Sequence, residues 1–291
     1  MRNIIQTILL GLALFIFFLI FTFPFSRLGP KVQVAIENGF KNFMQTPVNC
    51  DLDGFNYSFP FGIKWKNLSC RNLRDSILEV SNGNLSFFPS QKVSGQIGAG
   101  KFQISTDIGI KKSPSRVSAQ LDSIPMEKIS PLVMVLVARA NPLLPRDMKM
   151  TGKLQGKMDW PLKNLSKESG ALDLKFDALT LPEQSLLRQI GLKNLVFSKA
   201  DIKANLNLGK LTFTDTAFLS PHLSGKVDGQ ADLQDDLAKS TASLNLKWKV
   251  QRSDAMQSSM LGAILLAAPC PSPDSEGFCT RRINRLADLG I

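Results

Sequence analysis

Short runs of alternating apolar and polar side chains fill residues 195–250. In each run the apolar residues occupy every second position, and polar or charged residues stand between them. Because successive side chains of a strand point to opposite sides, each run predicts a strand with one apolar and one polar face. Turn-forming residues separate the runs at Gly209, at Pro221 and along residues 234–240. The pattern predicts an antiparallel meander, whose two sides are named here the apolar face and the polar face.

The same alternation extends over residues 57–121 and 148–177, so we predict strands there too. Alternation alone does not distinguish a filled core from an open groove, although the composition favours a filled or helix-capped core. The residues predicted on the apolar face, in either arrangement, are Phe59, Phe61, Trp65, Phe102, Ile104, Leu172, Leu174, Phe176, Ile202, Leu206, Leu208, Leu211, Phe213, Leu244, Leu246 and Trp248.

Two details of the early strands depend on proline and glycine. We expect residues 57–65 to keep one face throughout as a single strand, with Pro60 marking an edge strand or a bulge. Gly83 is expected to separate two strands, at residues 77–80 and 85–88.

Residues 126–140 replace the alternation with a helical pattern. From Leu132 onward, their apolar side chains form the broad stripe of an amphipathic helix. This helix is too short to span a membrane, so we expect it to cap the apolar face of the sheet. Further helices are predicted at residues 31–45, 183–190 and 253–268.

The N-terminal segment, residues 1–26, is predicted to be a membrane anchor. Residues 3–26 carry no formal charge, and residues 8–20 are almost entirely apolar, which is long enough to cross a hydrocarbon core as a helix. The alternative is a cleaved secretory signal, which requires a small-x-small cleavage site. No such site follows the apolar run, so we favour an uncleaved anchor. Flanking positive charges, Arg2 on one side and Arg27 on the other, leave the orientation nearly balanced.

The rest of the chain divides by pattern into four parts. A juxtamembrane helix is predicted within residues 27–45. Two β-rich halves follow, residues 46–145 and 146–268, and each is predicted to be closed by a helix. Residues 269–291 form a tail that contains two cysteines. We find no repeat of fixed period between the halves.

Four cysteines bear on the compartment: Cys50, Cys70, Cys270 and Cys279. No pair has the spacing of a metal clip, and no histidine stands near them. An even number of cysteines, in a chain whose N-terminus is typical of exported proteins, predicts the disulfides Cys50–Cys70 and Cys270–Cys279. Three connectivities are possible, of which this local one is the most economical, and four buried free thiols are the alternative. Disulfides would place the body outside the cytoplasm and the N-terminus inside.

The charge of the chain argues against a nucleic-acid partner. The 35 Lys and Arg residues outnumber 24 Asp and Glu, which leaves a formal net charge of +11. The basic residues are scattered singly along polar strand faces, whereas nucleic-acid binders cluster them and interleave aromatics. A solvated surface, or weak attraction to an anionic membrane, explains the charge better.

The residues that carry catalysis are scarce. The chain has one His and one Tyr, and none of the common nucleophile, phosphate-loop or metalloprotease motifs occurs. His222 follows a proline in a predicted turn, with no nucleophile beside it. We therefore predict that the protein is not an enzyme and has no metal site and no cofactor.

The stretch from residue 191 to residue 233 is similar to the strand–glycine–strand pattern of periplasmic AsmA-like proteins. Its Gly209-x-Leu211 step precedes a short segment that ends in a polar turn, and a strand with Gly225 and Gly229 follows. Together with the N-terminal anchor and the chain length, this stretch resembles protein N of the type II secretion system. The FPFGIKW segment, residues 59–65, also looks like the first extracytoplasmic strands of that family.

The resemblance implies a mainly β fold, in which an N-terminal transmembrane helix precedes an AsmA-like curved antiparallel sheet with a few capping helices. It implies a single-pass protein of the bacterial inner membrane with most of the chain in the periplasm. Its expected role is that of an accessory subunit of the type II protein secretion apparatus, with other secretion subunits as partners. The alternative is an AsmA-like envelope protein that binds or transports lipid in an apolar groove. The resemblance brings no catalytic residues.

Overall fold

A single antiparallel sheet dominates the computed structural model of the protein. The structure describes residues 29–44, 48–58, 62–72, 75–87, 90–107, 115–140, 149–182, 194–234, 239–250, 270 and 273–285. Within these ranges there are fifteen strands, all in one sheet, and two helices, so the fold is mainly β, as predicted. None of the helices described there has the length and apolar character needed to span a membrane.

Several predictions fall on residues that the structure does not describe. The predicted anchor, residues 1–26, is one of them, and so are Phe59 and Phe61. The helices predicted at residues 183–190 and 253–268 also lie outside the described ranges.

Both described helices coincide with predicted ones. They are α1 (Gly29–Met44) and α2 (Met126–Ala140). The strands before α2 are β1 (Asn49–Asp53), β2 (Asn56–Ser58), β3 (Gly62–Asn72), β4 (Asp75–Ser86), β5 (Gln91–Ile97), β6 (Gly100–Thr106) and β7 (Arg116–Pro125). The strands after α2 are β8 (Thr151–Pro161), β9 (Ser169–Leu181), β10 (Leu195–Val196), β11 (Lys199–Asn207), β12 (Lys210–Leu219), β13 (Leu223–Asp232), β14 (Thr241–Val250) and β15 (Cys279–Arg285).

The sheet is a meander in which strands follow one another in chain order. Short β2 lies beside β1 on the same edge of β3, and short β10 lies beside β11 on the same edge of β9. Every pairing is antiparallel, and no described connection crosses over the sheet. Strand β7 pairs directly with β8, so the sheet continues without a break from residues 46–145 into residues 146–268.

The strand register gathers the apolar side chains on one face. Residues directly opposite each other in an antiparallel pair lie on the same face, so the register can be followed across the sheet. From β5 to β15, one such row consists of Val93, Ile104, Ala119, Met158, Leu172, Ala204, Phe213, Gly229, Leu244 and Ile283. From β5 to β14 the register places no Asp, Glu, Lys, Arg or His on this face within the described strands.

Bulges keep the apolar face continuous along strands that twist. In β7 the pairing with β8 shifts between Leu121 and Ile124, and Ser123 between them has φ 53°. The extra residue lets both apolar side chains reach the same core, although they stand three positions apart. Strict alternation would have placed one of them on the polar face.

Helix α2 covers the apolar face over the first half of the sheet, as predicted. It contacts β4, β7 and β8. Its buried residues Met126 and Ile129 join a core that contains Leu68 and Val80 from the early strands and Leu154 from β8. This covered part is a filled core.

Two early elements differ from the sequence predictions. Residues 57–65 do not form one strand, because Tyr57 of β2 pairs with Ile63 of β3 in an antiparallel ladder. Pro60, which has no N–H to give to a ladder, stands between them. Conversely, Gly83 does not end a strand but lies inside β4, where the indole of Trp65 packs directly on its backbone.

We predict that Gly83→Ala destabilises the protein by roughly 1–3 kcal/mol, the usual cost of overpacking a core. A Cβ atom at this position would lie 1.9 Å from Cε2 of Trp65, so the indole would have to move. The matched control is Gly225→Ala, a strand glycine on the same face whose Cβ would have only one neighbour, the Lys247 carbonyl oxygen at 3.9 Å. Urea unfolding followed by far-ultraviolet circular dichroism measures both. Equal midpoints for the two variants would contradict the prediction.

Candidate functional site

Most of the predicted apolar residues lie on the apolar face, with different degrees of burial. The buried ones are Trp65, Leu206 and Leu244. The half-buried ones are Phe102, Leu172, Leu174, Phe176, Ile202, Leu211, Phe213 and Trp248. Ile104 and Leu246 are exposed, at 37% and 38%. The described part of this face is therefore neither wholly filled nor wholly open.

Leu208 is the one described candidate that does not lie on the apolar face. It is 69% exposed, in the two-residue turn that joins β11 to β12. Asn207 pairs with Lys210 across this turn, and both Leu208 and Gly209 have positive φ, at 48° and 83°. A two-residue hairpin turn of this kind requires positive φ at both positions, so the strand ends one residue before the alternation does.

The apolar face contains both buried and exposed side chains toward its C-terminal end. Around β11 to β14, Leu206, Ala231 and Leu233 form a buried cluster with Trp160 and Leu211 packed against it, Leu244 is also buried, and Leu246 is 38% exposed. Neither described helix contacts these strands closely. The exposed apolar side chain there, Leu246, is available for contact with an apolar partner.

The edge of the sheet at β1 is closed by α1. Cys50 and Cys70 are directly opposed and disulfide-bonded, with their Cα atoms 4.1 Å apart, which is the spacing of a pair without mutual backbone hydrogen bonds. The N–H of Cys50 therefore points away from β3. It donates to Oε1 of Glu37 in α1 at 2.9 Å. Since Ile36 also packs into the core, the helix occupies the place that another strand would take.

The opposite edge of the sheet is formed by β15. This strand pairs with β14 on one side, and no other described strand pairs with it. Its exposed residues include Arg281 and Arg282, which lie on opposite faces. Arg281 is opposed to Leu246 on the apolar face, and Arg282 donates to Oγ of Ser243 on the polar face at 3.2 Å. We call the outer side of this strand the β15 edge.

A disulfide-closed loop holds β15 in place. The predicted bond Cys270–Cys279 is present, as is Cys50–Cys70, and the structure shows no free cysteine. Cys279 begins β15 opposite Trp248. The alternation of apolar residues did not predict this strand, because residues 279–285 contain one large aliphatic side chain, Ile283, and no alternating run. These residues form a strand because they pair with β14.

The same loop is fastened to the polar face of β13 and β14. Phe278 is 6% exposed, and its ring centroid lies 4.5 Å from Nζ of Lys226 and 5.9 Å from Nζ of Lys249. Lys226 donates to Oε2 of Glu276 and Lys249 donates to the Glu276 carbonyl oxygen, both at 2.7 Å. Oδ1 of Asp274 accepts the N–H of Phe278 at 2.8 Å, which closes the turn. Alternation does not reveal this arrangement of residues 270 and 273–279, which we call the clasp.

Elsewhere the polar face is a solvated array of ion pairs. Asp228 accepts hydrogen bonds from Asn245 at 2.7 Å and lies 3.0 Å from Nζ of Lys247. The Asn245 hydrogen bond, helped by Lys247 and opposed by partial burial, lowers the pKa of Asp228. Its hydrogen bond with Asp228 in turn raises the pKa of Lys247. These pairs link neighbouring strands and present no nucleophile beside a base.

The candidates for chemistry remain apart from one another. His222 lies in the turn between β12 and β13, where its backbone N–H donates to Oγ of Ser220 at 3.3 Å. The described residues contain no group of His, Cys, Asp and Glu side chains arranged to hold a metal ion. What the geometry offers is therefore two binding surfaces, the open end of the apolar face and the β15 edge.

We predict that replacing both cysteines of the clasp, Cys270→Ser with Cys279→Ser, loosens β15. Removing a disulfide that closes so short a loop lowers the free energy of unfolding by about 2–3 kcal/mol. The amides of β15 should then exchange hydrogen faster, which mass spectrometry of peptic fragments measures. The matched control, Cys50→Ser with Cys70→Ser, should leave β15 protected and loosen β1 instead. Unchanged exchange in β15 would contradict the role of the clasp.

Comparisons with protein-family models, with curated proteins and with solved structures found no match for this chain. The similarity to protein N of the type II secretion system therefore stays a prediction, based on the glycine and leucine pattern around Gly209 and Gly225. The candidate function rests on the geometry of the β15 edge and of the apolar face.

Proposed function

We propose that this chain is a single-span accessory subunit of the type II protein secretion apparatus in the bacterial inner membrane. Its sheet lies in the periplasm and docks other subunits, without catalysing a reaction. The observation that carries the proposal is the difference between the two edges of the sheet: α1 closes one, and the β15 edge is unpaired within the described residues.

An unpaired edge is a natural docking site, because its outward N–H and C=O groups can hydrogen-bond to an added strand. Soluble proteins usually protect such edges against uncontrolled association. Here one edge is protected by Glu37 and its helix, while the other is held rigid by the clasp. A rigid, accessible strand at only one end of the sheet favours contact with one partner, through that edge.

The two disulfides support the periplasmic location. Disulfides persist in oxidising compartments such as the bacterial periplasm and are rare in the cytosol. Cys50–Cys70 staples the first strands, and Cys270–Cys279 staples the last, so both ends of the sheet depend on oxidation. The predicted anchor, residues 1–26, would tether the β1 end of the sheet to the membrane.

The secretion role predicts that deleting this chain blocks the export of folded proteins, while the export of unfolded proteins continues. A photo-crosslinkable residue at Thr280, on the β15 edge, should capture another secretion subunit in intact cells. The same residue at Gln120, in the centre of the polar face, is the matched control and should capture less. Normal export in the deletion strain would rule out the secretion role.

A second candidate function, lipid binding or transport in the envelope, is favoured by the composition of the apolar face. From β5 to β14 the described strands place no ionisable aspartate, glutamate, lysine, arginine or histidine there, and Ile104 and Leu246 remain exposed. A continuous apolar surface of this kind can shield acyl chains from water.

Lipid binding predicts that Ile104→Asp releases lipid that co-purifies with the protein. The new carboxylate would place an unpaired charge on the apolar face between Val93 and Ala119, which an acyl chain cannot solvate. Leu208→Asp is the matched control, because Leu208 is more exposed but lies in a turn away from that face. Native mass spectrometry counts the bound lipid. A lipid-free wild-type chain, or equal loss in both variants, would exclude this function.

A further inference from the structure

We propose that the β15 edge binds an extended, acidic segment of another protein, which adds to the sheet as a further strand. This inference rests on the docking role proposed above and names the chemistry of the partner. It follows from three properties of the edge: its open backbone, its rigidity and its charge.

Among the described residues, the outer side of the β15 backbone has no strand partner. In an edge strand, alternate residues direct their N–H and C=O groups away from the sheet. Strand β15 pairs only with β14 within the described chain, from Cys279 opposite Trp248 to Arg285 opposite Thr241. An extended segment laid along the β15 edge would therefore find a regular row of donors and acceptors.

Contacts within the chain order the β15 edge before a partner binds. Cys279 is fixed by its disulfide at one end of the strand, and Ile283 is 3% exposed on the apolar face. The clasp anchors the preceding residues through Glu276 and Phe278. Less conformational freedom is lost on binding when the receiving strand is already ordered, which favours strand addition here.

The charge of the edge selects the partner. Arg281 and Arg282 are both exposed, and they project to opposite faces of the strand. Both acidic side chains of the clasp already have partners: Glu276 pairs with Lys226, and Oδ1 of Asp274 accepts the backbone N–H groups of Glu276 and Phe278. An added strand with adjacent acidic residues would place one carboxylate near each arginine, because opposed residues in a ladder share a face.

A second copy of this chain fits the edge poorly. Pairing two β15 strands would place arginines near one another, and like charges opposed across a ladder are unfavourable. The β1 edge of a second copy carries Asp51 and Asp53, but its own α1 already occupies the outward N–H of Cys50. A segment from a different protein is therefore the occupant that the charges and the backbone both favour.

Fluorescence anisotropy with the full chain in detergent tests this proposal. The probe is a short labelled peptide with two adjacent Glu residues between Val and Thr residues. One control peptide carries two Lys residues instead, and a second keeps the Glu residues but is N-methylated at alternate positions, so that it cannot donate along one edge. We expect both controls to bind at least about tenfold more weakly than the probe.

Variants in which the arginines are replaced by glutamates distinguish a change in charge preference from a loss of folding. R281E combined with R282E should bind the Lys peptide and reject the Glu peptide, and R281E alone should show a smaller shift in the same direction. Because both arginines are exposed, circular dichroism should match that of the wild type. Hydrogen exchange should slow in β15 when the Glu peptide binds, and remain unchanged in β7.

Three outcomes would overturn the proposal. Equal binding of the Glu and Lys peptides would exclude the charge selection, and equal binding of the N-methylated peptide would exclude strand addition. A wild-type dimer that dissociates in R281E, measured by analytical ultracentrifugation, would identify a second copy as the occupant.

The docking role and the acidic partner can fail separately. If Thr280 crosslinks to a secretion subunit but the Glu peptide does not bind, the docking role stands and the acidic chemistry is wrong. If the Glu peptide binds as expected but deletion leaves export normal, the edge site stands and the secretion role is wrong.

Discussion

The pairing of each strand with its neighbours in the chain is the constraint on which the rest of this structure depends. Directly opposed residues share a face, so a slip of one residue in any ladder would turn a whole strand of apolar side chains toward water. The bulge between Leu121 and Ile124 shows how the register is kept where the strands twist. The apolar face, the ion-paired polar face and the placement of both edges all follow from that register.

A sheet of one layer has to cover its apolar face and protect its edges with few additional elements. Helix α2 covers the face near β4, β7 and β8, and α1 protects β1 through Glu37. Within the described chain, neither helix contacts the strand of Leu246 closely, and no strand pairs with the outer side of β15. Because Leu246 pairs with Arg281, this exposed apolar side chain and the β15 edge lie next to each other.

Alternation predicted the sheet, its apolar face and the helix at Met126–Ala140, because these features repeat over many residues and each repeat adds evidence. It failed where a single contact decides the outcome. Leu208 continues the pattern but lies in a turn, because Asn207 pairs with Lys210. Gly83 resembles a strand break but makes room for Trp65. Strand β15 has almost no alternation of its own; it forms because it pairs with β14 and because the Cys270–Cys279 disulfide holds its first residue.

The uninterrupted meander also makes the sheet a spacer of adjustable length. Each strand adds about 4.8 Å across the sheet, so one more hairpin would move the β15 edge roughly 10 Å farther from α1. No described strand contributes hydrogen bonds beyond its immediate neighbours, so adding or removing a hairpin would leave the other ladders as they are. The number of hairpins would then set how far from α1 the molecule presents its last strand.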